Sequence, residues 1–220
     1  MKKIMMIGAA VLSAAMLLTA CGEAAQDISS DTAAVTETEA SKAPETPEEF
    51  QAAMISRSLY SLGNPSRLKA KLKQAQAGEE MTVAYIGGSI TRGETAGAEG
   101  CYAKLSYNYI SEKYGTGDNV KYVNAGVSGT PSVLGNLRLQ KDVLDYNADI
   151  VFVEFAVNDA QDNTHKESYE SLVRTVLTQE NDPAVVLIFN RTANGYTAQE
   201  YMKEIGDYYS LPMISVADAL

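Results

Sequence analysis

The chain has no tryptophan, one histidine, two cysteines, and 18 lysines and arginines against 28 aspartates and glutamates. Each shortage excludes something. No indole is present to stack on a flavin, and neither Gly-Lys-Ser/Thr nor Gly-x-Gly-x-x-Gly occurs to cradle a phosphate. Cys21 and Cys101 are too few for a disulfide framework, and with His165 far away in sequence they do not form a zinc-ligand pattern. A formal net charge of -10 and a pI near 4.6 argue against a nucleic-acid partner, which would need clustered cations to neutralise phosphates. No apolar run is long enough to span a bilayer: the longest, Ile4 to Leu18, is about 15 residues where roughly 20 are needed.

That short run has a different meaning. Lys2 and Lys3 precede it and Leu18-Thr19-Ala20-Cys21 follows it, which is the layout of a secretion signal over residues 1–21. The ending resembles a bacterial lipoprotein lipobox. That resemblance implies a lipid-bearing Cys21 and a mature chain anchored outside the cytoplasm, on the bacterial cell membrane or beyond it. An ordinary signal peptide with a chance cysteine is the alternative. Residues 22–49 are rich in Ala, Thr, Glu, Asp and Pro with almost no large apolar side chain, so they read as a disordered acidic tether. Residues 50–220 are the size of one domain. Cys101, within Cys101-Tyr102-Ala103-Lys104-Leu105, reads as a small core hydrophobe.

Within that domain, Phe50 to Leu62 and Arg67 to Gln76 are expected as helices, the second capped by Ser66. From Met81 the period changes. Apolar, β-branched runs at 81–86, 120–123, 149–155, 184–189 and 212–216 alternate with helical spacing at 100–114, 132–146, 166–179 and 197–208. Nearly continuous apolar strands suit burial on both faces, so the pattern predicts an α/β fold with a five-stranded parallel sheet between helical layers. A ligand site in such a fold lies beyond the carboxyl ends of the strands.

Three short blocks fall at those ends: Gly87-Gly88-Ser89-Ile90-Thr91, Asn124 to Gly129, and Val157-Asn158-Asp159. A serine hydroxyl, glycine amides and an asparagine carboxamide are the groups needed to attack an ester carbonyl and hold its oxyanion. Each block also has a plainer reading. Ser89 or Thr91 could cap a helix, the second block could be a loop with turn glycines, and Asn-Asp after a strand is an ordinary turn. With Thr91 and nearby amides, Ser89 could instead face a phosphate in a flavodoxin-like cofactor binder.

In order and placement the blocks resemble the SGNH hydrolases, also called GDSL-like esterases and lipases. Gly87-Gly88-Ser89 is similar to the family's Gly-Asp-Ser with Gly88 in place of the acid, and Ala156-Val157-Asn158-Asp159 to its Gly-x-Asn-Asp with Ala156 in place of glycine. The resemblance spans about residues 80–216. It implies a three-layer flavodoxin-like fold, a nucleophile at Ser89, oxyanion donors at Gly129 and Asn158, ester hydrolysis, and neither cofactor nor metal. An extracytoplasmic address suits acetyl esters of glycans as substrates.

The family's Asp-x-x-His segment has no counterpart in this sequence, so the expectation is a C-terminally truncated domain with weak or no turnover. Asp218 has no histidine three residues on. His165 is expected as a solvent-facing first-turn residue of the segment that follows it rather than as the base. The competing reading is a lipid-anchored ester- or glycan-binding domain without catalysis.

Overall fold

The structure, a computed structural model, describes residues 43–220. The signal segment, Cys21 and the tether up to residue 42 lie outside the described residues.

The domain opens with helix α1 (Pro47–Ser58), entered through a capping box in which Thr46 and Glu49 bond each other's backbone. Pro47, Glu48 and Glu49, assigned above to the tether, form its first turn. The chain then leaves the helix earlier than expected: Leu59–Ser61 is a short strand, β1. Helix α2 (Ser66–Gln76) follows, with Pro65 and not Ser66 at its N-cap. Asn64 holds the entry instead, its Oδ1 accepting from the Ser66 amide at 3.1 Å.

The remaining elements alternate: β2 (Met81–Gly87), the one-turn α3 (Ser89–Arg92), α4 (Tyr102–Tyr114), β3 (Val120–Gly126), α5 (Ser132–Asp142), β4 (Ile150–Glu154), α6 (Asn163–Leu177), β5 (Ala184–Phe189), α7 (Gln199–Tyr208), β6 (Met213–Ser215) and α8 (Val216–Ala219). The strands form one mixed sheet of six in the order β1-β6-β5-β4-β2-β3. The five expected strands are parallel, and β1 joins β6 antiparallel, with Leu59 opposite Ile214. The expectation of five strands is therefore corrected to six, because an edge strand of three residues carries too little pattern to be seen.

Alternation along the buried strands feeds two cores. Val83, Tyr85, Ile150 and Phe152 face Leu68 and Leu72 of α2 and Ile110 of α4, while Ala84, Ile86, Val151 and Val153 face Leu139 of α5, Leu172 of α6 and Met202 of α7. Tyr85 stacks on Phe152 with ring centres 4.7 Å apart. Cys101 is a free, buried thiol in the first core, as its apolar surroundings predict. This three-layer arrangement places the carboxyl ends of β2, β3 and β4 side by side. A wide groove of about 840 Å³ opens elsewhere, lined by Arg67, Lys71, Glu80, Asp149 and Asp182. Those residues flank the amino ends of the strands, so this groove is not where the three blocks meet.

Candidate active site

Gly87 and Gly88 let the chain turn from β2 into α3 where nothing larger fits. A Cβ on Gly87 would overlap Thr91 Oγ1 and the Glu154 carbonyl, and one on Gly88 would overlap Asn158 Oδ1. Ser89 is the first residue of α3 and half-buried. No side chain caps this helix: the buried Thr91 hydroxyl shares a 2.9 Å hydrogen bond with Tyr102 OH instead. Among the described residues nothing accepts from or donates to Ser89 Oγ, so the hydroxyl is not committed to a structural bond.

The second block is fastened to the first from both sides. Asn124 Nδ2 donates to the Thr91 carbonyl at 2.9 Å and Asn124 Oδ1 accepts from Gly126 N, while Val127 N donates to the Gly87 carbonyl at 3.0 Å. Ser128 Oγ donates to Glu94 Oε2 at 2.6 Å, which ties the loop to the residue following the Ser89 turn. Gly129 adopts a left-handed φ of 72°, is exposed, and sits where an added Cβ would meet nothing within 4 Å; conformation and not space selects glycine here.

In the third block the amides of Asn158 and Asp159 both donate to the Phe155 carbonyl, at 2.9 and 3.0 Å, which throws the Asn158 carboxamide against Gly88. Its Oδ1 is buried and has no hydrogen-bond partner among the described residues. Ser89, Gly129 and Asn158 thus stand beyond the ends of β2, β3 and β4, which lie side by side with β2 in the middle, and the carboxamide is packed against the residue before the serine. A serine flanked by amide donors is equipped to hold a developing oxyanion.

Three more residues organise this edge: Glu154 and Arg138 carried no role in the sequence reading, and Asp159 entered it only as the end of the third block. Asp159 is 1 % exposed; its Oδ1 accepts from Ser132 N at the start of α5 (2.7 Å), its Oδ2 from Tyr201 OH (3.1 Å), and its carbonyl from Tyr196 OH (2.6 Å). Burial raises its carboxyl above the ordinary value, opposed by the Ser132 and Tyr201 donors. Glu154, opposite Gly87 in the sheet, is fully buried and pushed up to about 7 by desolvation, with Asn190, the Ala156 backbone and Thr91 alongside acting to lower it. These donors lie near it, but among the described residues none closes a full hydrogen bond with either oxygen. Arg138 of α5 donates to the carbonyls of Ala125 and Gly87. A glutamate ending the otherwise apolar run Ile150-Val151-Phe152-Val153 was the one visible signal of the three.

His165 is in the first turn of α6, as its position predicts, but partly buried. Asp162 caps the helix and accepts from both His165 N (2.9 Å) and, at 2.8 Å, the ring Nδ1. No hydrogen bond links it to Ser89. Among the described residues no group of three or more His, Cys, Asp or Glu could hold a metal ion.

No curated protein matches the chain. Among solved structures it is similar to a two-domain esterase (CEX) active on acetylated mannans, at 36% identity and a TM-score of 0.71 over 74% of this chain and 44% of that one. The same esterase co-crystallised with mannopentaose gives 35% identity and a TM-score of 0.69, over 74% and 45%. The chain therefore spans less than half the length of those esterases. An acetyl xylan esterase, AlAXEase, shares the fold at 19% identity and a TM-score of 0.51, over 62% of this chain and 78% of that one. The family model for the GDSL-like lipases and acylhydrolases matches residues 85–220, from within the serine strand through all three blocks. On that match and on the mannan esterase's likeness, the chain belongs to the GDSL-like lipase/acylhydrolase family.

Proposed function

We propose that the chain is a serine esterase that cleaves carboxylic esters, with acetyl groups on glycans as its substrates, through an acyl-enzyme at Ser89. The observation that carries this reading is the meeting of three blocks at adjacent strand ends, with the Asn158 carboxamide against Gly88 and an uncommitted hydroxyl at Ser89. Ser89 Oγ attacks the ester carbonyl while solvent water takes its proton; the amides of Ser89 and Gly129 and the Asn158 carboxamide hold the oxyanion; the C–O bond breaks and the alkoxide takes a proton from water to leave as the alcohol; a second water then adds to the acyl-enzyme, releasing the acid and returning the proton to Ser89. A glycan ester is supported by the mannan activity of the two-domain esterase.

His165 is bound to Asp162 and has no bond to Ser89, so it does not serve as base in this reading. Turnover is then weak, because binding and an oxyanion hole alone retain about 10³- to 10⁴-fold over water in other serine hydrolases. Hydrolysis of a short-chain chromogenic ester by the purified protein tests this. Weak hydrolysis is expected, lost in Ser89→Ala and within about twofold of wild type in His165→Ala. Equal rates in wild type and Ser89→Ala would remove the esterase reading; loss in His165→Ala would make that histidine the base.

The absence of any bond from His165 to Ser89 also favours a second reading, a binding domain for acetylated glycans without catalysis. Saturable binding of an acetylated mannooligosaccharide with no product, indifferent to Ser89→Ala, distinguishes it. For localisation we propose an extracytoplasmic lipoprotein anchored through Cys21, supported by Lys2, Lys3 and the apolar run before Cys21. Labelled fatty acid should enter the wild type in bacterial cells and not Cys21→Ala; equal labelling of the two would end that proposal.

A further inference from the structure

Helix α5 touches all three blocks at once. Its first amide, Ser132 N, donates to Asp159 Oδ1 at 2.7 Å, which fastens it to the residue after Asn158. Further along, the Arg138 guanidinium reaches back under the other two blocks. Nη1 donates to the Ala125 carbonyl at 2.6 Å and Nη2 to the Gly87 carbonyl at 3.1 Å. Gly87 is the last residue of β2, and Ala125 is the residue before the end of β3. The Gly87 carbonyl also accepts from Val127 N, the first residue of the loop that carries Gly129. One planar side chain therefore spans the gap between the strand that delivers Ser89 and the strand that delivers Gly129.

The side chain is suited to that span. It is 16% exposed, and Asp142, one turn on, accepts from Nη1 at 3.1 Å and balances the charge. A guanidinium presents its donors in a fixed fork, so two carbonyls held by one fork have a set separation; a lysine ammonium on a flexible stem imposes no such spacing. The helix between Ser132 and Arg138 is continuous, so the Asp159 contact and the two carbonyl contacts move as one body.

We propose that Arg138 is a positioning residue that sets the separation between the Ser89 turn and the Gly129 loop, with α5 referencing both to Asn158. The catalytic part of this rests on the esterase reading above; the mechanical part does not.

The test uses the purified protein with Arg138→Lys and Arg138→Met, read by two independent measurements. Hydrogen exchange follows the amides of Val127 to Thr130 against those of β5. In Arg138→Met the loop amides should exchange about tenfold faster or more, the scale of one lost charge-assisted hydrogen bond, while β5 amides stay within about twofold. In the ester assay kcat should fall about 10²-fold with KM within about threefold, because donors are displaced while substrate contacts persist. Arg138→Lys should fold like the wild type and keep the loss in kcat.

Unchanged loop exchange, or equal acceleration across the whole domain, overturns the proposal. So does full kcat in Arg138→Lys, which would leave charge alone as the requirement. If the wild type shows no serine-dependent hydrolysis, the esterase reading fails, and exchange in Arg138→Lys and Arg138→Met still decides whether Arg138 sets the loop.

Discussion

Replacing Glu154 with glutamine is expected to leave stability near pH 4 almost unchanged and to raise it by about 3 kcal/mol above pH 8. Burial holds the folded carboxyl at about 7 against an ordinary value of 4.5. Below pH 4.5 the acid is protonated in both the folded and the unfolded chain, so it adds no pH dependence. Between about 4.5 and 7 the unfolded chain releases the proton and the folded chain keeps it, so stability falls as pH rises. Above 7 both forms are ionised and the folded chain carries a buried carboxylate with no hydrogen-bond partner. Glutamine has nearly the same shape and no charge, so the decline should vanish. Asp159 is also raised by burial, but it is present in both proteins and cancels from the comparison. Denaturant unfolding of the two proteins at pH 4.5, 6 and 8 measures the difference. Parallel stability curves across that range would show that Glu154 ionises without cost and has found a partner.

Gly88→Ala is expected to lower ester hydrolysis about 10²- to 10³-fold and to cost about 1–3 kcal/mol of stability. Backbone conformation does not forbid the change, since Gly88 has φ of -91°. Space does, because the new methyl would occupy the position of Asn158 Oδ1. The carboxamide must swing away, and the oxyanion loses a donor. The acidic residue that the family usually carries at this position meets the same obstruction, so Gly88→Asp should be at least as damaging in this chain, although it restores the family's motif. Rates near wild type in Gly88→Ala, with stability intact, would show that Asn158 has a second resting place and that its contact with Gly88 is incidental.

These effects bear on how far the sequence could be read. β2 to β6 were legible because parallel strands buried on both faces leave near-continuous apolar runs. β1 was not, since Leu59-Tyr60-Ser61 follows α1 with no breaker, and only pairing with Ile214, distant in sequence, makes it a strand. Ser66 looked like a cap because serine often is one, but it is the first residue inside the helix, and its amide donates to Asn64 Oδ1. At the site, Ser89, Gly129 and Asn158 are short-range motifs at strand ends. Arg138 could not be seen in that way: its carbonyl partner at Gly87 is 51 residues away, and nothing local distinguishes it from a solvated helix arginine. Asp159 looked like half of a turn, and its bond to Ser132 spans 27 residues. Such roles arise when tertiary packing brings donors and acceptors together.

The antiparallel edge has a consequence for the order of assembly. α1 and β1 leave the ribosome before every strand of the parallel core, yet β1 pairs with β6, and Arg57 of α1 donates to the Ala219 carbonyl at 2.9 Å. Early synthesis gives these segments nothing to dock on. Closing so long a loop costs more entropy than the β2-β3 and β2-β4 pairings, whose strands lie closer together along the chain. Loop closure alone therefore predicts a sheet built from the serine strand outward, with the first-made strand admitted last.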